Sequence, residues 1–279
     1  MIETDELPGL SIRTYLPIKK LLLPAGETVW QFRSGKYTRQ MSSHPVAVFG
    51  LALCDLQAVW YLDRVFAEDV HYQRRREKML LVGLPCQPDE NCRCEQSLMP
   101  ISGDLYLDGS HAWGLSRRGN ALIKRLADPK VSTASLPLPW PETNSVKVAD
   151  CSEALFDRSK KSDILIDEAS RCLACGACSA VCPTCYCFDL LDVVDSNGRV
   201  TRTRTWDNCF FSEHGQIAGG IDFRHGRFQR LRFRLEHKRL GFGELRGVNS
   251  CVGCGRCRTV CPVDIDLDDI VIRLLRENS

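Results

Sequence analysis

The feature that most constrains this chain is a cysteine pattern written twice. Cys172-Leu-Ala-Cys175-Gly-Ala-Cys178-Ser-Ala-Val-Cys182-Pro183 and Cys251-Val-Gly-Cys254-Gly-Arg-Cys257-Arg-Thr-Val-Cys261-Pro262 both read C-x2-C-x2-C-x3-C-P. Three thiolates at this spacing wrap three corners of an iron–sulfur cube, and in two-cluster ferredoxins the fourth cysteine reaches the other cluster. The proline that follows stops the local helix from continuing. The spacing therefore groups Cys172, Cys175, Cys178 and Cys261 on one [4Fe–4S] cluster, and Cys251, Cys254, Cys257 and Cys182 on a second. Zinc takes four ligands and favours paired C-x2-C spacings, which two complete runs ending in Cys-Pro fit poorly. The 68 residues from Pro183 through Ser250 separate the runs, a longer spacer than compact bacterial ferredoxins use. Cross-ligation would tie the two ends of that segment together, so metal loss should unfold it.

Composition narrows the setting. The chain has 16 cysteines in 279 residues, too long for a small disulfide-stapled secreted domain. Its start, Met1 to Pro8, is acidic and lacks the basic and apolar regions of a signal peptide. No apolar run approaches the roughly 18–20 residues that span a bilayer. The expectation is a cytoplasmic protein without membrane insertion, in which clustered thiols mean metal or redox chemistry. Lys plus Arg is 37 against 35 Asp plus Glu, a net charge of +2. That balance gives no general attraction to nucleic acid.

The N-terminal half reads as α/β. Val46 to Cys54 reads as a buried strand ending at a cysteine, and Asp55 as the cap of a helix through Leu56, Val59, Trp60, Leu62 and Phe66. A polar stretch, Asp69 to Lys78, precedes a second buried strand, Met79 to Cys86. The unit predicts a parallel strand pair with a cysteine at each C-terminal end, where open α/β sheets place their sites. With Cys92 and Cys94 in the loop that follows, Cys54, Cys86, Cys92 and Cys94 form a candidate third [4Fe–4S] site. Burial as small apolar residues would explain Cys54 and Cys86 but not the polar-flanked pair Cys92 and Cys94. Pro129, Pro137, Pro139 and Pro141 disfavour helix and central strand. The expected class is α+β: an N-terminal α/β domain over 1–127, a Pro-rich linker over 128–143, and a helical two-cluster ferredoxin domain over 144–279.

Cys151, Cys185, Cys187 and Cys209 remain. A fourth cluster is one reading; packing, or tuning of a neighbouring cluster, is the favoured one. Arg224 to Arg239 reads as an amphipathic helix with a solvated basic face, or as counter-charge for reduced clusters or an acidic partner. Arg74 to Arg76 reads as a solvated turn or subunit contact, and His214 and His237 as structural or interfacial. No G-x-G-x-x-G, P-loop or Ser/His/Asp pattern is present, so the chain should bind neither flavin nor nicotinamide itself.

Six segments resemble one family: FGLALCDLQAVWYLDRVF (49–66), RRREKMLLVGLPCQPDENCRC (74–94), CLACGACSAVCPTCYCFD (172–189), RTWDNCFFSEHGQIAGG (204–220), RFRLEHK (232–238) and CVGCGRCRTVCPVDID (251–266). They resemble the iron–sulfur beta subunits of NAD(P)-linked sulfhydrogenases and the A-type subunits of anaerobic sulfite reductases. The resemblance implies cluster ligation by the eight ferredoxin-type cysteines and strengthens the case for Cys54, Cys86, Cys92 and Cys94. It also implies electron relay within a hetero-oligomer, between a flavin subunit that handles NAD(P)H and a separate catalytic subunit. That catalytic partner is a hydrogenase, a sulfite reductase or a heterodisulfide-reductase-type complex. The chain itself is then a non-catalytic component. Two rival expectations are an enzyme with a substrate-binding N-terminal cluster, and structural clusters in a nucleic-acid enzyme.

Overall fold

The computed structural model describes residues 13–39, 44–94, 99–108, 111–126 and 153–277. The Pro-rich segment and Cys151 lie outside the described residues. The described residues are α+β, with two four-stranded sheets and helices that supply more of the apolar core than the strands do.

A short helix, α1 (Lys19–Leu22), leads into a hairpin of β1 (Gly26–Arg33) and β2 (Lys36–Arg39). Strand β3 (Val46–Leu51), helix α2 (Leu53–Val65), helix α3 (Val70–Lys78) and β4 (Met79–Gly83) follow. Strands β3 and β4 pair in parallel, as the strand–helix–strand pattern predicts. Next come β5 (Leu105–Leu107), parallel to β4, and β6 (Ala112–Gly114), antiparallel to β5, giving the order β3-β4-β5-β6. Helix α4 (Arg117–Leu126) closes this region.

Three local readings change. Strand β3 lies at the sheet edge, so Val46 and Phe49 are exposed where the apolar run suggested burial. Cys54 stands in the first turn of α2, whose cap is Ala52, and does not end a strand. The polar stretch folds as α3, capped by the Asp69 carboxylate accepting from Tyr72 N at 2.7 Å. Two of the three arginines on α3 are structural, while Arg74 stays exposed. Arg75 donates to the Leu22 carbonyl at 2.8 Å and pairs with Glu27 on β1, while Arg76 reaches Asp63 at 3.2 Å.

After the Pro-rich segment, α5 (Glu153–Ser159) and α6 (Asp163–Arg171) lead into the first cysteine run and its one-turn helix α7 (Ala177–Ala180). Between the runs stand β7 (Phe188–Val194), β8 (Val200–Trp206) and α8 (Arg227–Leu240). This region is thus not purely helical. Strand β8 pairs with β1 as well as β7, so one sheet, ordered β2-β1-β8-β7, takes strands from both halves of the chain. The second run contains α9 (Arg256–Thr259), and α10 (Leu267–Arg276) ends the described chain. Its Ile270, Val271 and Leu274 pack with Phe156, Leu165, Leu231 and Leu235 into the core behind the two runs. Leu22, Leu56, Leu62, Tyr72 and Leu81 form the N-terminal core.

Candidate metal centres

The sequence repeat is also a backbone repeat. Ala174 and Gly176 in the first run have φ of 53° and 75°; the matching Gly253 and Gly255 have 62° and 69°. These left-handed residues bend the chain around a common centre before α7 and α9 begin. The first run tolerates alanine at the earlier position. The second does not, because a Cβ at Gly253 would collide with the Arg93 carbonyl and one at Gly255 with that of Asn91. The N-terminal loop lies directly on the second run, with Arg93 N donating to the Gly253 carbonyl at 2.6 Å.

The two runs exchange their last cysteines across two cavities. Cys172, Cys175, Cys178 and Cys261 line the first, with Phe210, Leu231, Val263 and Ile265 around them. Cys182, Cys251, Cys254 and Cys257 line the second, and Cys257 also borders the first. Backbone amides point at two of these sulfurs: Ala174 N at Cys172 Sγ, 3.4 Å, and Ile265 N at Cys261 Sγ, 3.3 Å. Burial pushes the Cys178 thiol up and that of Cys257 to about 12. Among the described residues no three His, Cys, Asp or Glu side chains are placed to hold a lone metal ion.

The charges behind these cavities test what they suit. Arg234, Lys238 and Lys19 are 2%, 3% and 4% exposed, and none forms an ion pair with a carboxylate among the described residues. Arg234 donates to Ser179 Oγ at 2.8 Å, to the Cys178 carbonyl at 3.0 Å and to Cys185 Sγ at 3.2 Å; its Nε has no partner. Lys238 donates to Thr184 Oγ1 at 2.9 Å, and Thr184 Oγ1 lies 3.5 Å from Cys182 Sγ. Lys19 Nζ donates to the Ser179 carbonyl at 2.9 Å and sits 4.8 Å over the Trp206 ring. A buried cation without a counter-charge costs several kcal/mol. Burial opposes the charge on Lys238, yet the sulfurs of Cys182 and Cys185 hold its pKa up. Burial lowers that of Lys19, partly offset by the same two sulfurs. Four thiols per cavity, backed by cations whose nearest anions are sulfur, fit a [4Fe–4S] cluster, which is net negative with four thiolates.

Cys54, Cys86, Cys92 and Cys94 also come together. Cys54, Cys92 and Cys94 pack with Ala52, Ala58, Val252 and Cys254, and Cys86 lies against them. Hydrogen bonds with Cys54 and then Cys92, together with burial, drive the Cys94 thiol far up. The bond from Cys94 lowers Cys92 to about 7, whereas burial raises Cys86 to about 11. Cys94 Sγ donates to the Gly253 carbonyl at 3.4 Å, so this set abuts the second run. Two cations that reach it are paired: Arg13 bonds Cys92 Sγ at 3.3 Å and also Asp89, and Arg256 pairs with Asp55 at 2.8 Å.

Cys185, Cys187 and Cys209 sit beside the first run. Cys185 lies against Cys182, and a hydrogen bond from Cys187 lowers Cys209 to about 6. Cys185 and Cys187 line a cavity of about 210 Å³ with Lys19, Tyr186 and Trp206. His214 pairs with Asp207, and His237 Nε2 meets Tyr186 Oη at 2.9 Å, so both histidines are structural.

Sequence reading missed Lys19, Ser179 and Thr184, and left Arg234 and Lys238 on a helix read either as a solvated basic face or as counter-charge for clusters or an acidic partner. The signal for the last two was available: they stand four apart on α8, a spacing that shares one helix face, and Leu231 and Leu235 are buried on the same helix. Nothing near Lys19 in the sequence marks it.

Paired cavities, each lined by cysteines from both runs, define a dicluster iron–sulfur protein, and a family model described as "4Fe-4S dicluster domain" matches residues 171–265. The chain is 30% identical over 285 aligned positions to the sulfhydrogenase 2 subunit beta of Pyrococcus furiosus, covering 94% of this chain and 84% of that one. It belongs to the family of sulfhydrogenase beta subunits and is an iron–sulfur electron-transfer subunit. No solved structure matches. Among the described residues no helix is long and apolar enough to cross a membrane.

Proposed function

We propose that this chain relays single electrons between a flavin subunit that handles NAD(P)H and a catalytic redox subunit, in the cytoplasm, without binding flavin, nicotinamide or nucleic acid itself. Cys172, Cys175, Cys178 and Cys261 would hold one [4Fe–4S] cluster and Cys251, Cys254, Cys257 and Cys182 the other. Cys54, Cys86, Cys92 and Cys94 would hold a third. The 1–127 and 144–279 segments serve as N-terminal and dicluster units joined by the Pro-rich linker. The single observation that carries this reading is the sharing of two cavities by cysteines of opposite runs.

Bound clusters supply reversible one-electron storage, with potentials set by burial, charge and hydrogen bonds to sulfur. The chain's own residues do the rest. Leu231, Phe210 and Ile265 give the first cavity an apolar wall, and the amides of Ala174 and Ile265 donate to ligand sulfurs. The Gly253 carbonyl, bonded to both Arg93 N and Cys94 Sγ, fixes the N-terminal thiols against the second run. That contact would set a third site next to the second. A hetero-oligomer of this kind is also what the relative's designation as a beta subunit suggests.

The test is affinity purification of the tagged chain from its native host without oxygen. A flavoprotein and a catalytic subunit should co-purify, and NAD(P)H should bleach the broad visible iron–sulfur absorbance of the complex. A chain that purifies alone, or whose colour ignores NAD(P)H while dithionite bleaches it, contradicts the proposed relay.

A further inference from the structure

The charges around the two cavities are unequal. The first is lined by apolar side chains and a single cation, Arg234. The second is lined by Arg234, Lys238 and Arg258 together with Asp266 and Asp268. Both carboxylates are already taken, Asp266 by Arg258 at 3.0 Å and Asp268 by Arg239. Among the buried cations that line the cavities, what remains uncompensated is Arg234, common to both, and Lys238, confined to the second; outside them, exposed Arg227 reaches the Cys172 carbonyl at 2.9 Å. Lys19 adds a further buried cation near Cys182, through Ser179.

The placement follows from α8. Arg234 and Lys238 lie one helical turn apart on one face, and Leu231 and Leu235 on the same helix lock it into the core. The cations are therefore fixed rather than mobile. Thr184 extends this arrangement: its hydroxyl donates to the Ser250 carbonyl at 2.7 Å and accepts from Lys238, holding the ammonium beside Cys182. A fixed positive charge in a low-dielectric interior favours whichever redox state carries more negative charge. For a cluster that is the reduced state, so the midpoint potential rises.

Resting on the two-cluster reading, we propose that Lys238, with Arg234, holds the Cys182/Cys251/Cys254/Cys257 site at a more positive potential than the Cys172/Cys175/Cys178/Cys261 site. The second site is then the electron sink of the pair. Lys238 acts on the second site alone and Arg234 on both; neither contributes a ligand, and both are positioning residues.

The experiment is an anaerobic redox titration of the intact complex followed by EPR, with iron counted in every preparation. The wild type should show two separable midpoints from these sites. Lys238→Met should lower the more positive one by at least tenfold in the one-electron equilibrium constant, about 59 mV, and leave the other in place. Arg234→Met should lower both, and Lys238→Arg should restore the wild-type value. Coincident wild-type midpoints overturn the proposal without any variant. So does a Lys238→Met protein with full iron and unmoved potentials, or one in which only the more negative midpoint moves. Absence of iron in the wild type instead sinks the two-cluster reading itself.

Discussion

The two cysteine territories answer the same charge problem in opposite ways. Around the paired runs the thiols surround cavities, and three buried cations behind them, Lys19, Arg234 and Lys238, have no carboxylate partners among the described residues. At the N-terminal set the thiols bond one another, and the two arginines that reach across to it carry their own carboxylates, Arg13 with Asp89 and Arg256 with Asp55. The first arrangement is balanced only when anionic sulfur fills the site. The second is balanced by the chain alone. The C-terminal half should therefore depend on metal for its fold, while the N-terminal half should not.

The sharpest way to break that contrast is to remove the exchanged ligands. Cys182→Ser with Cys261→Ser takes one thiolate from each cavity. It should lose about eight irons per chain, at four per cubane, and the protection of α8 and α10 amides in hydrogen exchange. Retention of the iron and of the protection would break the comparison. Cys54→Ser with Cys92→Ser should cost about four irons per chain and leave α8 and α10 protected; a collapse of those helices would show that the N-terminal set also supports the fold.

Smaller effects sharpen the contrast. Arg256 and Asp55 are 2% and 2% exposed and join α9 to α2. Arg256→Met leaves a buried carboxylate unpaired and should destabilise the protein by about 4 kcal/mol in denaturant titrations. Arg256→Met with Asp55→Leu should recover much of that; equal losses in both would show that the charge pair is not the cause. Glu27 gives the smallest effect. Burial pushes its carboxyl up, but Arg75 and Arg204 outweigh it and hold its pKa below the ordinary value. A carboxylate lowered in the folded state contributes stability above its unfolded pKa, near about 4.3, and loses it as pH falls through the folded value. Glu27→Gln should cost about 2 kcal/mol at pH 7 and flatten the acid limb of the stability curve. An unchanged acid limb would remove Glu27 as its source.

Local spacing made much of this legible in the sequence. The convergence of the two runs could be read because C-x2-C-x2-C-x3-C-P fixes which sulfurs turn inward, and the parallel pairing of β3 and β4 because two apolar runs flank a helical period. What escaped depends on contacts far apart in the chain. The sheet that pairs β1 with β8 joins Glu27 to Arg204 across most of the sequence. Cys54 was set at a strand end because an apolar run gives no mark where an edge strand stops and a helix begins. Lys19 lies on a four-residue helix whose composition says nothing of Ser179 or Trp206. Polarity left two readings open at Arg234 and Lys238, since a basic helix face is solvated unless something anionic is buried against it.

The central claim is that cysteines of opposite runs share two inorganic clusters, and metal analysis of the oxygen-free chain tests it most directly. Iron and acid-labile sulfide should appear in equal amounts, at about eight or more of each per chain, with a visible absorbance that bleaches on reduction. Zinc in place of iron, with no labile sulfide and no bleaching, would contradict it.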